Sequence, residues 1–159
     1  MREGNAARAL RLVEAAMAAR LDCPDAASGA SSCHDELRYL RAEALRRDGR
    51  FDAAVTAYKA LDHRAAPAAT RQNAFYAAAQ LEQRLGRSAA ARADFERALA
   101  AAPAGALREE ALMGAMDSAA AGGETGRAAE LARRYLSDFP SGLGATRARA
   151  LAASPSTSR

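Results

Sequence analysis

Apolar positions along this chain recur at helical spacing. Leu37, Leu40, Ala44 and Leu45 mark one stripe, and Phe51, Ala54, Val55, Tyr58 and Leu61 mark a second one after Gly49. Both follow the i, i+3, i+4, i+7 pattern of an amphipathic helix. The pattern then restarts. Gly49, Ala54, Tyr58, Leu61 and Pro67 are followed by Gly86, Ala91, Phe95, Ala98 and Pro103, and then by Gly123, Ala128, Ala132, Tyr135 and Pro140. Successive glycines are 37 residues apart, as are Pro103 and Pro140, and Pro67 lies one residue off that register. A fixed period of this size marks stacked supersecondary units.

Each position in the repeat has a physical task. The Gly has no Cβ, so it can take positive φ and close a first helix tightly. The small residue five positions on lets two helices approach. The aromatic (Tyr58 or Phe95) fills the gap against the next repeat. The Pro lacks an N–H and ends the second helix. The spacing therefore predicts a helix–turn–helix hairpin that stacks on copies of itself.

The ends fit this plan. Residues 1–22 read as the second helix of an incomplete repeat, with Gly4, Ala9, Val13 and Ala16 at matching intervals. An insertion at 23–34 follows. Repeats one, two and three occupy 35–67, 68–104 and 105–140. Ser141 is placed to N-cap a capping helix within 141–153, and 154–159 reads as a disordered tail. Gly4 and Gly49 are 45 residues apart, eight more than the period. The chain reads as either a capped array or the C-terminal piece of a longer protein. An incomplete terminal repeat would leave an apolar face on which a second copy could pack, so self-association stays open.

Composition narrows the class to all-α. There are 47 Ala among 159 residues, while Val occurs only at 13 and 55 and Ile not at all. Ala favours helix, and a sheet core without β-branched residues is not expected. The net charge of +4 comes from 22 Arg and Lys59, with acids interleaved along the helices. That is a solvated, salt-bridged surface, so nucleic acid is not the expected partner. No run of 18 apolar residues exists, so no membrane span is expected. The charged N-terminal stretch lacks the apolar core of an export signal, which makes a cytoplasmic location the default. A periplasmic or envelope location would follow if the chain is part of a longer exported protein.

These repeats resemble the tetratricopeptide repeat, whose usual period is 34. The resemblance covers about residues 35–140, with Gly86, Ala91, Phe95, Ala98 and Pro103 as its best-fitting run. Phe75 and Leu112 stand where the family has a Trp, Ala42 and Ala79 where it has a Gly, and Ala132 where a large aromatic is usual. The three extra residues per period fall at about 65–71 and 104–109, similar to variants common in bacterial cell-envelope proteins.

The resemblance implies a right-handed α-α superhelix whose first helices line a concave groove. Carried across, the groove is Glu36, Tyr39, Glu43 and Arg46 from repeat one, Asn73, Tyr76, Gln80 and Arg84 from repeat two, and Glu110, Met113 and Asp117 from repeat three. It implies a non-catalytic adaptor or scaffold that binds a peptide or helix of a partner protein, with no cofactor. Packing of Tyr39 and Tyr76 on the adjacent helix is the competing reading of the two rings. The alternative role is a structural spacer in a longer envelope protein. The family's clamp for a partner's C-terminal carboxylate uses a Lys/Asn/Arg set. Tyr39, Glu43, Ala77 and Gly114 stand at its positions here, so that clamp is not expected.

Reactive side chains are sparse. Cys23 and Cys33 flank one loop and read either as a disulfide, which would restrict the unfolded chain and imply an oxidising compartment, or as two separate thiols. With His34 they lack the short paired spacing of a zinc site. His63 ends a helix and faces its dipole. The stretch GGETG lacks the Lys-Ser/Thr of a phosphate loop and reads as a turn. No nucleophile and base converge, so an enzyme is not expected.

Overall fold

The computed structural model describes residues 3–19, 30–62 and 66–153. Among them are eight helices: α1 (Glu3–Ala18), α2 (Ala30–Arg47), α3 (Phe51–Lys59), α4 (Ala68–Arg84), α5 (Ser88–Ala101), α6 (Arg108–Ala121), α7 (Thr125–Asp138) and α8 (Ala145–Ala152). No strand occurs among the described residues, and each helix packs on the next in sequence. None of these helices is long and apolar enough to cross a membrane.

The three repeat glycines close three equivalent turns. Gly49, Gly86 and Gly123 have φ of 78°, 73° and 75°. In each turn the residue after the Gly donates its N–H to the carbonyl five residues back: Arg50 to Leu45, Arg87 to Glu82 and Glu124 to Ala119, at 3.0, 2.9 and 2.9 Å. The Gly itself donates to Arg46, Gln83 or Ala120. This is the Schellman arrangement, which satisfies the last carbonyls of a helix only when one residue takes the left-handed conformation. An L side chain there costs about 1–2 kcal/mol. Gly86→Ala is therefore expected to lower stability by about that amount in urea melts. Gly126, inside α7 with open space around its Cα, is expected to gain up to about 1 kcal/mol from the same change.

The inter-repeat turns also obey the period. Gly105 and Arg108 donate to Ala102 and Gly105, and 37 residues on Gly142 and Ala145 donate to Phe139 and Gly142. The helix after the turn thus starts at Ala145, with Gly144 in the capping position and no side-chain cap. Ser141 is not the cap: it lies inside the turn, whose backbone bonds decide where α8 begins. Tyr135 fills the gap instead, its hydroxyl accepting the Gly144 N–H at 2.7 Å.

Two apolar clusters meet at α4. Ala74, Ala78 and Leu81 join Leu10, Leu45, Tyr58 and Leu61, whereas Phe75 and Ala79 join Phe95, Leu112, Met116, Leu131 and Tyr135. An interior helix of a stack must be apolar on two sides, which explains the Ala-rich middle of α4 and α6. Phe95 reaches the next repeat as expected: a Cβ on Gly114 would lie 2.5 Å from Phe95 Cζ. In repeat three the ring moves from position 132 to Tyr135, which is fully buried and meets the Phe139 ring at 5.5 Å and a tilt of 45°.

Two expected core positions behave differently. Leu40 is 52% exposed, because the core-facing side of α2 runs through Ala42, Ala44 and Leu45. On α1, Ala6 and Leu10 are buried, Ala9 is exposed, and Val13 and Ala16 are partly covered. Cys23, His63 and residues 154–159 lie outside the described residues, as does the side chain of Cys33.

Ion pairs join successive repeats. Lys59 on α3 lies 3.2 Å from Glu82 on α4 and 2.7 Å from Asp94 on α5. Arg87 reaches Asp52 at 2.6 Å. Between repeats two and three, Arg92 and Arg127 alternate with Glu96 and Glu124.

Candidate binding surface

One surface stripe recurs on the first helix of every repeat. At i, i+3, i+4 and i+7 it carries Glu36, Tyr39, Leu40 and Glu43 on α2, Asn73, Tyr76, Ala77 and Gln80 on α4, and Glu110, Met113, Gly114 and Asp117 on α6. Spacing of this kind puts four residues on one face of a helix. The 37-residue period then places equivalent residues in rows across α2, α4 and α6. Across repeats, α4 touches α6 and α6 touches α8.

The two tyrosines divide their surface between packing and solvent. Tyr39 meets Tyr58 edge-on at 5.6 Å and 63°, and Tyr76 meets Phe95 at 5.5 Å and 67°. T-shaped geometry aligns the positive ring edge with the negative face of its neighbour. Both rings are only partly buried, so each keeps an open side while its partner fixes its position. Burial, with Glu43 near Tyr39 and Glu110 near Tyr76, raises both phenol pKa values, so the rings stay neutral.

A cleft of about 280 Å³ opens between α2 and α4, lined by Glu36, Tyr39, Leu40, Thr70 and Asn73. Three of these residues were expected from the sequence. Leu40 and Thr70 were not. Leu40 reads as core by hydrophobicity, but its position four residues after Glu36, level with Ala77 and Gly114, places it on the stripe.

Several expected groove residues are engaged within the fold. Glu43 accepts hydrogen bonds from the Tyr58 hydroxyl and from Arg46, the latter at 2.7 Å, with Arg47 at 3.9 Å. Burial pushes the Glu43 carboxyl up, but the bonds from Arg46 and Tyr58 outweigh it and hold the group below its ordinary value of 4.5. The Arg84 guanidinium lies 4.7 Å over the Phe51 ring, towards α3. Asp117 accepts from Arg147 of α8 at 3.1 Å. Met113 is partly buried and sits against the turn leading into α8, its Sδ 3.0 Å from where a Cβ on Gly144 would lie. Gln80 is exposed on α4.

Glu43 gives a pH dependence with a definite sign. Its folded pKa is below the unfolded one, so its contribution is present above pH 4.5 and is lost as pH falls through the folded value. Glu43→Gln is expected to melt below wild type near pH 7 and to approach it near pH 3. Thermal melts followed by circular dichroism check this.

A second recurring polar position was not anticipated. Asp35 and Gln72 are buried, and Glu109 occupies the same register. Gln72 donates to the Ala102 carbonyl at 3.0 Å, and Glu109 accepts from the Leu143 N–H at 2.9 Å and the Tyr135 hydroxyl at 2.5 Å. In repeats two and three this position ties the following inter-repeat turn to the start of the first helix. Its signal was the spacing of 35, 72 and 109 itself.

Among the described residues, no three His, Cys, Asp or Glu side chains are arranged to hold a metal ion. Comparison with protein-family models gives no match, and comparison with curated proteins gives none either.

Proposed function

We propose that this chain is a non-catalytic protein-interaction module, a right-handed stack of tetratricopeptide-like hairpins that holds a segment of a partner protein on the face formed by α2, α4 and α6. The observation that carries the reading is the repeated pair Tyr39 and Tyr76, each fixed by a ring of its own repeat and each keeping an open side. Rigid aromatics beside a cleft are efficient anchors, because little side-chain freedom is lost on binding. The contacts of α4 with α6 and of α6 with α8 support curvature with this face on the concave side. A second role, as a spacer or assembly surface in a longer cell-envelope protein, is favoured by Leu12 and Met17, which α1 leaves 63% and 36% exposed.

The test is affinity capture from an extract of the source organism, comparing wild type with a Leu40→Ser, Asn73→Ala, Gln80→Ala variant. All three residues are exposed, so the variant keeps the fold, as an unchanged melt would verify. A protein retained by wild type and lost by the variant is the expected result. Equal recovery with both would move the reading to the spacer role.

A further inference from the structure

The chain carries a net charge of +4, yet the row of equivalent positions across α2, α4 and α6 is acidic and amide: Glu36, Asn73 and Glu110. Among the described residues Glu36 is exposed and forms no ion pair. Glu110 has one carboxylate oxygen, Oε2, shielded from solvent and without a hydrogen-bond donor. Three arginines of α2 and α8 are engaged with other carboxylates. Arg38 pairs with Asp35 at 3.1 Å, Arg46 with Glu43, and Arg147 with Asp117. Glu36 therefore keeps unmet acceptor capacity at the surface, and Glu110, itself part-exposed, has one oxygen unpaired, on a molecule whose overall charge is of the opposite sign.

We propose, resting on the groove reading above, that the occupant of this face is a cationic, extended segment of a partner polypeptide. Its Lys or Arg side chains would pair with Glu36 and Glu110 and lie over the open sides of Tyr39 and Tyr76, with an apolar side chain beside the first cation on Leu40 of α2. Carboxylates supply the charge pairing. The tyrosine faces add a cation–π attraction that an anionic or neutral segment cannot use. An extended chain presents alternate side chains to one face, so cations on that side can meet the carboxylates while the side chains between them face away. The positive net charge works against non-specific binding of such a segment elsewhere on the molecule.

The experiment uses the full chain and three fluorescein-labelled ten-residue peptides of equal length. They carry four Lys, four Gln or four Glu on a common Leu/Ala/Ser background. Fluorescence anisotropy gives affinity, and amide chemical shifts of the isotope-labelled chain give location. The Lys peptide is expected to bind most tightly and to shift amides of α2, α4 and α6. Its Kd is expected to rise about fivefold or more in a Glu36→Gln, Glu110→Gln variant, and to rise likewise on going from about 50 to 500 mM salt. Equal or tighter binding of the Gln or Glu peptide with shifts on the same helices would overturn the cationic preference and leave the groove reading standing. Shifts confined to α3, α5 and α7, or no binding of the Lys peptide, would also overturn it. The groove reading is then decided by the capture experiment.

Discussion

Lys59→Met is expected to lower stability by about 3–5 kcal/mol near pH 7, the usual cost of leaving a buried charge without its partner. One ammonium serves two carboxylates here, Glu82 and Asp94, which are 4% and 1% exposed. Arg87 and Arg97 lie farther off, at 3.4 Å from Glu82 and 3.6 Å from Asp94, and cannot replace it fully. The carboxylates belong to α4 and α5 and the ammonium to α3, so the loss falls on the joint between repeats one and two. Burial pushes the Asp94 carboxyl above its ordinary 3.8, and the pull of Lys59 and Arg97 only partly offsets it. A folded pKa above the unfolded one means that protonation favours the folded state, so stability is recovered as pH falls through the folded value. Lys59 removal raises Asp94 further. The deficit of Lys59→Met is thus expected to be smaller near pH 4.5 than near pH 7 in urea melts. Adding Asp94→Asn should restore part of it at pH 7. A pH-independent loss of under about 1 kcal/mol would mean that the triad acts as a solvated surface pair.

Gly114→Ala is expected to destabilise by about 1–3 kcal/mol, although Ala is the better helix former by about 1 kcal/mol. The reason is the Phe95 ring, three of whose atoms lie 2.5–2.7 Å from the position of the added methyl. Phe95 is 2% exposed and held edge-on by Tyr76, so it has little room to withdraw. The sign is expected to reverse in a Phe95→Leu background, where the methyl fills space and the helix gains its propensity. A double-mutant cycle in urea melts measures this coupling. Additive effects would show that the α5–α6 contact relaxes freely.

The sequence already carried the hairpin turns. Gly49, Gly86 and Gly123 stand at one interval, and left-handed closure of a helix end is a demand only Gly meets without strain. Phe95 was legible for a related reason, since its place in the period fixed which helix it would meet. The start of α8 was not legible from Ser141, because capping preference is weak beside two backbone bonds that the inter-repeat turn imposes. Leu40 was misplaced because an apolar residue on a helix says nothing about which side the core lies on, and α2 has Ala on its buried side. The engagement of Glu43 was hidden for another reason. Its partner Tyr58 is 15 residues on, in the next helix, and only the packed hairpin brings the hydroxyl to the carboxylate. Glu110 and Glu36 read alike as groove acids; what separates them is the shielded Oε2 of Glu110, a product of packing.

The central claim is that α2, α4 and α6 form the surface that meets a partner. Amide hydrogen exchange of the chain, alone and with the captured protein, tests it most directly. New protection is predicted along α2, α4 and α6, centred on the Glu36–Leu40 and Asn73–Ala77 stretches, with α3, α5 and α7 unchanged. Protection confined to the odd-numbered helices, with the even-numbered face exchanging as in the free chain, would contradict it.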